Sequence, residues 1–160
     1  MTGTSAMREL LLEELEGMIR STKGLLKKVE PNMWQYRPHE NMRSLQELAT
    51  HLTQIPFVDL AILQEKTEEE IRQLEQKLTH EQATEMAHVM DEGFLQLRNY
   101  MVHLEEEEFL TKKTKPFYLE QGSTQAKWLT EILGHVVHHR AQLFNYLKEK
   151  GASVNMFDLY

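Results

Sequence analysis

The residues best suited to chemistry are three histidines in the segment GHVVHHRAQL, residues 134–143. His135 and His139 are four residues apart, and in an α-helix this spacing places two side chains on one face, about 6 Å apart. Two imidazoles in that arrangement can converge on one metal ion. His138 is turned by about 100° from His139 around the helix, so we expect it to face an interface or solvent. The spacing therefore predicts a pair of metal ligands that needs a third ligand.

His51 is the candidate for the third ligand. It lies midway along a predicted helix, and Leu48, Leu52 and Ile55 place it on or near the apolar stripe that faces the interior. A histidine there can also be a core residue, hydrogen-bonded to a backbone carbonyl or a carboxylate. The spacing alone leaves both interpretations open. The other four histidines are predicted to be surface or supporting residues: His39, His80, His88 and His103.

The elements that must position these histidines are predicted to be helices, because apolar residues recur at helical spacing along most of the chain. Ser44 and Glu47 form a capping box that marks a helix start. Pro56 is expected to kink this second helix without ending it, because the apolar pattern resumes at Phe57. No segment is convincing as a strand.

Two further capping signatures, Thr67 with Glu70 and Thr79 with Gln82, predict the starts of a short and a long helix. We expect an all-α four-helix bundle, a fold whose core commonly holds a ligand or metal site, in a single domain spanning residues 1–160. The predicted long helices cover residues 5–29, 44–64, 80–106 and 124–150, with a short helix at 68–78 between the second and the third. The last helix is expected to turn one face inward, the face with Trp128, Ile132, His135 and His139.

The composition excludes several classes of function. The formal net charge of −7 argues against nucleic-acid binding, because phosphate contacts need a concentrated basic surface. The chain has no cysteine, which removes disulfides, thiolate ligands and a cysteine nucleophile. The apolar stretch 55–63 is too short to span a bilayer and contains Asp59, and the N-terminus lacks a signal pattern. We therefore expect no membrane partner and a cytoplasmic location.

The order of these residues resembles the DinB/YfiT family of small four-helix metalloenzymes. LQELATHL, which contains His51, and the later GHVVHHRAQL resemble the family signature of one histidine on the second helix and His-x-x-x-His-Arg on the last. His51, His135 and His139 match the three histidines, and Arg140 matches the arginine. Ala141 stands where the family commonly has glycine, which is expected to alter helix packing slightly. The resemblance covers essentially the whole chain, including the ending GASVNMFDLY.

The resemblance implies one divalent transition-metal ion, zinc, nickel or iron, held by the three histidines with a position left open. Neutral imidazoles leave the ion its full charge, so a bound water becomes acidic and a bound thiol is stabilised. Glu47 and Glu131 each precede a ligand by one helical turn, and are candidates for supporting the ligands or moving a proton. The alternative is that both are ordinary surface charges. Arg140 is expected to hold the site or the helix packing in place.

Three functions stay open. The resemblance implies a metal-dependent transferase that activates a low-molecular-weight thiol for reaction with a small-molecule substrate, and a metal-dependent hydrolase would use the same site. The third is a non-catalytic, stress-related module that binds a metal or ligand, or acts only as a dimer. Motifs of other enzymes, such as G-x-S-x-G, a glycine-rich phosphate loop and H-E-x-x-H, are missing from the sequence. By resemblance we also expect a homodimer that uses the exposed faces of the first and last long helices.

Overall fold

The computed structural model describes residues 2–160, and these residues are mostly helical. They form six α-helices, one two-stranded antiparallel sheet and a C-terminal 3₁₀ helix at Met156–Asp158. The helices are α1 (Gly3–Leu26), α2 (Leu45–Leu63), α3 (Glu68–Leu78), α4 (Ala83–His103), α5 (Glu106–Thr111) and α6 (Gln125–Glu149), and the strands are β1 (Lys113–Thr114) and β2 (Ser123–Thr124).

The four long helices α1, α2, α4 and α6 pack around one apolar core. Helix α2 packs most extensively against α4 and α6, while α1 packs against α6 and α4. The predicted all-α bundle is confirmed, with α3 as the predicted short helix between α2 and α4. No helix within residues 2–160 combines the length and the apolar character needed to cross a bilayer. Buried leucines and methionines fill the core: Leu12, Leu15, Leu25, Leu26, Leu45, Leu48, Leu52, Leu63, Met86, Met90 and Leu97.

Helix α2 begins and continues as the sequence predicts. The Ser44 hydroxyl accepts the Glu47 N–H, and the Glu47 carboxylate accepts the Ser44 N–H, so the capping box is complete. The helix runs through Pro56. Gly93 of α4 lies against this point, and a Cβ added to it would be 2.9 Å from the backbone nitrogen of Phe57. The close approach of α4 to α2 therefore depends on a residue without a side chain.

The structure corrects the prediction between α3 and α6. Thr79 ends α3 instead of starting the next helix, because its hydroxyl donates to the Glu75 carbonyl at 2.8 Å. Helix α4 begins after Gln82, whose side chain makes no capping bond, and ends before Leu104, which is extended. The predicted helix 80–106 therefore extends beyond α4 by less than one turn at each end, and the expected absence of strands is wrong for β1 and β2. The other predicted helix ends agree to within one turn.

The strands β1 and β2 hold the loop of residues 115–122 beside the start of α6. The buried Gln125 side chain donates to the Thr114 hydroxyl at 3.0 Å and accepts the Tyr100 hydroxyl at 2.9 Å. The indole N–H of Trp128 donates to the Thr114 carbonyl at 3.2 Å. These bonds fix the base of the loop to α6.

Gly93→Ala is expected to destabilise the protein by about 1–3 kcal/mol, because the added methyl group overpacks the contact between α4 and α2. Gly17→Ala is the matched control. Its nearest neighbour would be the Arg20 guanidinium at 3.7 Å, an ordinary contact, so helix propensity should stabilise this variant by up to about 1 kcal/mol. Urea unfolding followed by circular dichroism measures both values. A Gly93→Ala protein as stable as the parent would contradict the close approach of the helices.

Candidate metal centre

The packing of α2 against α6 brings three imidazoles together. His51 lies on α2, and His135 and His139 lie on successive turns of α6. The Nε2 atom of His51 is 3.2 Å from Nε2 of His135 and 3.1 Å from Nε2 of His139. One nitrogen from each ring lies within 4.8 Å of the other two. The expected convergence of these residues is thus present in the structure, while their binding of a metal ion stays a prediction.

The other five histidines lie outside this cluster. His138 is exposed, although its ring packs edge-on against the His139 ring with centroids 4.7 Å apart. His39, His88 and His103 are exposed on the surface, and His80 is half-buried. The helical spacing therefore separates His138 from its neighbour His139 as expected.

Asp59 orients His135. Its carboxylate lies 2.8 Å from Nδ1 of His135, and because a carboxylate only accepts hydrogen bonds, Nδ1 is the donor. His135 consequently presents the lone pair of its Nε2 atom to the cluster. In the sequence, Asp59 is apparent only as a charge within an apolar stretch. Two features of the sequence point to Asp59. It lies about two helical turns after His51, and it is a charged residue in a segment that is otherwise largely buried.

Gln142 orients His139 in the same way. Its Oε1 atom accepts a hydrogen bond from Nδ1 of His139 at 2.7 Å. The two residues are one turn apart on α6, so the contact is local. The sequence prediction did not include Gln142, because only carboxylates were candidates for supporting the ligands.

The two glutamates considered for this role make other contacts. The Glu47 carboxylate accepts the Ser44 N–H and pairs with Arg37 at 2.9 Å. Glu131 pairs with Lys127 at 3.3 Å. The structure therefore favours the alternative interpretation, in which both glutamates act at the helix surface, and it gives the supporting role to Asp59 and Gln142 instead.

Burial keeps two of the three imidazoles neutral. Desolvation, followed by the positive charge of Arg43, lowers the pKa of His51 to about 3. Desolvation is also the main cause for His139 and lowers its pKa to about 4, although the hydrogen bond to Gln142 acts in the opposite direction. The neutral imidazole is the form that binds a metal ion. The fold therefore holds these residues in their ligand form at neutral pH.

The donor set fits a divalent transition metal. Two nitrogens at about 2.0–2.1 Å from one tetrahedral ion lie about 3.3 Å from each other, close to the 3.2 and 3.1 Å observed around His51. Because His135 and His139 carry their protons on Nδ1, two lone pairs face the His51 nitrogen, which has at most one proton to donate. At least one pair of nitrogens is then in repulsive contact. A cation placed among the three nitrogens removes this repulsion.

One cavity reaches the centre, and a second cleft lies beside it. The cavity, of about 650 Å³, has His51 and His135 in its wall and is bordered by α2, α3, α6 and the loop between β1 and β2. Its aliphatic lining consists of Val58, Ile62, Ile71 and Ile132. Toward the other end of α6, a polar cleft of about 500 Å³ adjoins the centre through Gln142, the partner of His139. The charged residues that line this cleft are Arg37, Arg43, Glu40 and Glu47.

The chain belongs to the DinB family, whose sequence model matches residues 2–160. A crystal structure of a protein described as a DinB-family member, from Exiguobacterium sibiricum 255-15, is 26% identical, has a TM-score of 0.80, and is matched over 100% of this chain and 99% of that one. Two DinB-like proteins show the same fold. The one from Bacillus subtilis is 20% identical, with a TM-score of 0.65 and coverage of 91% and 94%. The one from Bacillus cereus ATCC 10987 is 17% identical, with a TM-score of 0.71 and coverage of 92% and 95%. No curated protein matches the chain.

In the metal-free protein near neutral pH, we expect His135 and His139 to be Nδ1–H tautomers, because Asp59 and Gln142 accept hydrogen bonds from those atoms. Long-range ¹H–¹⁵N correlation spectra distinguish the two tautomers. His88 is the control, because its Nε2 atom faces a glutamate at 3.3 Å and should carry the proton. A predominant Nε2–H form of His135 would show that the orientation of the ring is misassigned.

Proposed function

We propose that this protein binds one divalent transition-metal ion, zinc, nickel or iron, through His51, His135 and His139, and that it transfers a low-molecular-weight thiol to an electrophilic small molecule. In this reaction the thiol loses its proton, its sulfur forms a bond to the electrophilic carbon, and the group displaced from that carbon leaves with the bonding electrons. The observation that carries the proposal is the convergence of three imidazole nitrogens, two of which present their lone pairs to the third. Membership of the DinB family supports the same site. When bound, such an ion supplies a Lewis acid that lowers the pKa of a thiol or a water molecule.

The chain's own residues hold this site in shape. Asp59 and Gln142 fix the planes of two rings, and supporting contacts of this kind are typically worth about 10–100-fold in metal affinity. The buried Arg140 acts on the packing, because its guanidinium donates to the Ser21 hydroxyl at 2.8 Å and to the Leu159 carbonyl at 2.6 Å. It thereby links α6 to α1 and to the C-terminal segment.

A thiol-dependent reaction requires sulfur from outside this chain, which has no cysteine. The polar cleft beside Gln142 supports an anionic thiol such as glutathione or bacillithiol. Arg37 in this cleft is paired with Glu47 at 2.9 Å, whereas Arg43 has no ion-pair partner among residues 2–160. The charge of Arg43 also reaches the centre, because it contributes to the lowered pKa of His51. Arg43 is therefore available to bind a carboxylate of the thiol.

His139→Ala is expected to remove most of the bound metal, because it deletes one of the three proposed ligands. His138→Ala is the matched control, since it removes an exposed neighbour on the same helix and should leave about one ion per chain. Elemental analysis of protein purified without a histidine tag measures both. Equal metal loss in the two variants would contradict the ligand assignment. A parent protein that stays metal-free after incubation with zinc, nickel and iron would contradict the proposal itself.

Metal-loaded protein is expected to form a conjugate between an electrophilic probe and glutathione or bacillithiol, and to form little product without the thiol. Chromatography that follows both the conjugate and the hydrolysis product measures this. Arg43→Ala should raise the KM for the thiol, whereas Arg20→Ala, an exposed change on α1, should not. Thiol-independent hydrolysis would favour the hydrolase, and no turnover across a broad panel of electrophiles would favour the non-catalytic module.

The proposal includes a cytoplasmic site of action and a homodimer. Met7 and Leu10 on α1 and Val137 on α6 are exposed apolar residues on the faces where we expect the contact. Sedimentation velocity over a range of concentrations measures the oligomeric state, and a monomer at all of them would remove the dimer from the proposal.

A further inference from the structure

The cavity beside the three histidines has an aromatic side. Trp128 is buried and is held by its bond to the Thr114 carbonyl, and Phe117 and Tyr118 extend from the loop of residues 115–122. The rings of Phe117 and Tyr118 pack edge to face with centroids 5.1 Å apart. Both remain substantially exposed, at 45% and 58%. A ligand in the cavity would cover these rings, and their burial would favour an apolar or aromatic body.

The charged side of the cavity is predominantly acidic. Four carboxylates line it, those of Asp59, Glu68, Glu75 and Glu131, against one guanidinium, that of Arg72. The guanidinium is already engaged, because it donates to Glu68 at 2.8 Å. An anionic ligand would therefore meet repulsion without a free positive side chain to offset it.

Glu75 is the carboxylate best placed to bind a ligand. Its side chain has no ion-pair or hydrogen-bond partner within the described part of the chain, residues 2–160, while Asp59 already accepts from His135. The backbone of Glu75 is fixed, because its carbonyl accepts the Gln54 side chain at 3.0 Å. This bond ties α3 to α2 one turn beyond His51. Glu75 therefore stands in a firmly held wall of the cavity, close to the three-histidine centre.

The phenol of Tyr118 lies in the negative electrostatic potential of the same cavity. Partial burial, together with the charges of Asp59 and Glu131, raises the pKa of its phenol. A phenolate is thus disfavoured at the cavity mouth, and a cation is favoured for the same electrostatic reason. Aromatic faces add to this preference, because their negative π faces attract ammonium groups.

We infer that this cavity binds the electrophilic substrate and selects a molecule with an apolar, preferably aromatic, body and a cationic group. The inference rests on the proposed function, since it identifies the occupant of the cavity as the molecule that reacts at the three-histidine centre. The apolar body lies against Trp128 and the aliphatic lining, and the cationic group lies against the carboxylates of α3. The anionic thiol binds instead in the cleft that contains Arg43. The two reactants therefore approach the centre from opposite ends of α6.

Three probes that share one aromatic body test the charge preference: trimethyl(2-phenylethyl)ammonium, 2-phenylethanol and 2-phenylethanesulfonate. None of them carries a strong metal ligand, so direct coordination does not obscure the comparison. We expect the ammonium probe to bind chelator-treated protein about tenfold more tightly than the sulfonate, with the alcohol between them. Metal-free protein is used because a bound zinc ion would add positive charge to the wall of the cavity beside His51 and His135. Calorimetric titration gives the Kd values, and shifts of the Trp128 indole N–H signal locate the binding. Equal Kd values, or tighter binding of the sulfonate, would overturn the inference.

Glu75→Gln should weaken binding of the ammonium probe about threefold and leave the alcohol unchanged. Glu69→Gln is the matched control on α3, because Glu69 lies outside the cavity and accepts from Gln73 at 2.8 Å. Circular dichroism verifies that both variants fold. Equal effects of the two substitutions would attribute the preference to the net charge of the protein and would overturn the role of the cavity.

Because these titrations use chelator-treated protein, they separate this inference from the proposed function. If the parent binds no metal and shows no turnover, the proposed function fails, while the order of the three probes in metal-free protein still supports or overturns the inference about the cavity. If zinc binds and thiol transfer occurs but the sulfonate binds most tightly, only the inference about the cavity fails.

Discussion

The packing of three imidazoles between α2 and α6 is the constraint on which the site depends. Each neutral imidazole has one N–H and one lone pair. Asp59 and Gln142 accept the N–H groups of His135 and His139, so the remaining lone pairs of these two rings face the Nε2 atom of His51 across the helix interface. Polar atoms that are shielded from water without a suitable partner cost free energy. The packing that closes the apolar core therefore also assembles three nitrogens that could hold a metal ion, without any flexible loop to adjust their positions.

The sequence predicts best those features that depend on one helix. The spacing of His135 and His139 and the capping box at Ser44 are local patterns, and both are present in the structure. Asp59 was missed because its contact with His135 crosses between two helices, and such contacts depend on the packing of the whole core. Thr79 was misread because a threonine hydroxyl can serve either the next helix or the preceding turn, and here it bonds to the preceding turn.

The two openings differ in charge. The cavity is lined by four carboxylates and one guanidinium, whereas the cleft is lined by two carboxylates and two guanidiniums. Within residues 2–160, Glu75 of the cavity and Arg43 of the cleft make no ion pair. Complementary potentials guide charged molecules to their own sites and keep other molecules out. For a reaction between two small molecules, this arrangement reduces the chance that either reactant occupies the place of the other.

Part of the wall of the acidic cavity comes from elements that do not hold the histidines. His51, His135 and His139 lie on α2 and α6, which share the buried core and also line the cavity, whereas the rest of the lining comes from α3 and the loop after β1. The bond from Gln54 fastens α3, and the bond from Trp128 fastens the base of the loop. Substitutions in α3 and in this loop therefore change the shape and charge of the cavity without moving the imidazoles, which are held by α2 and α6.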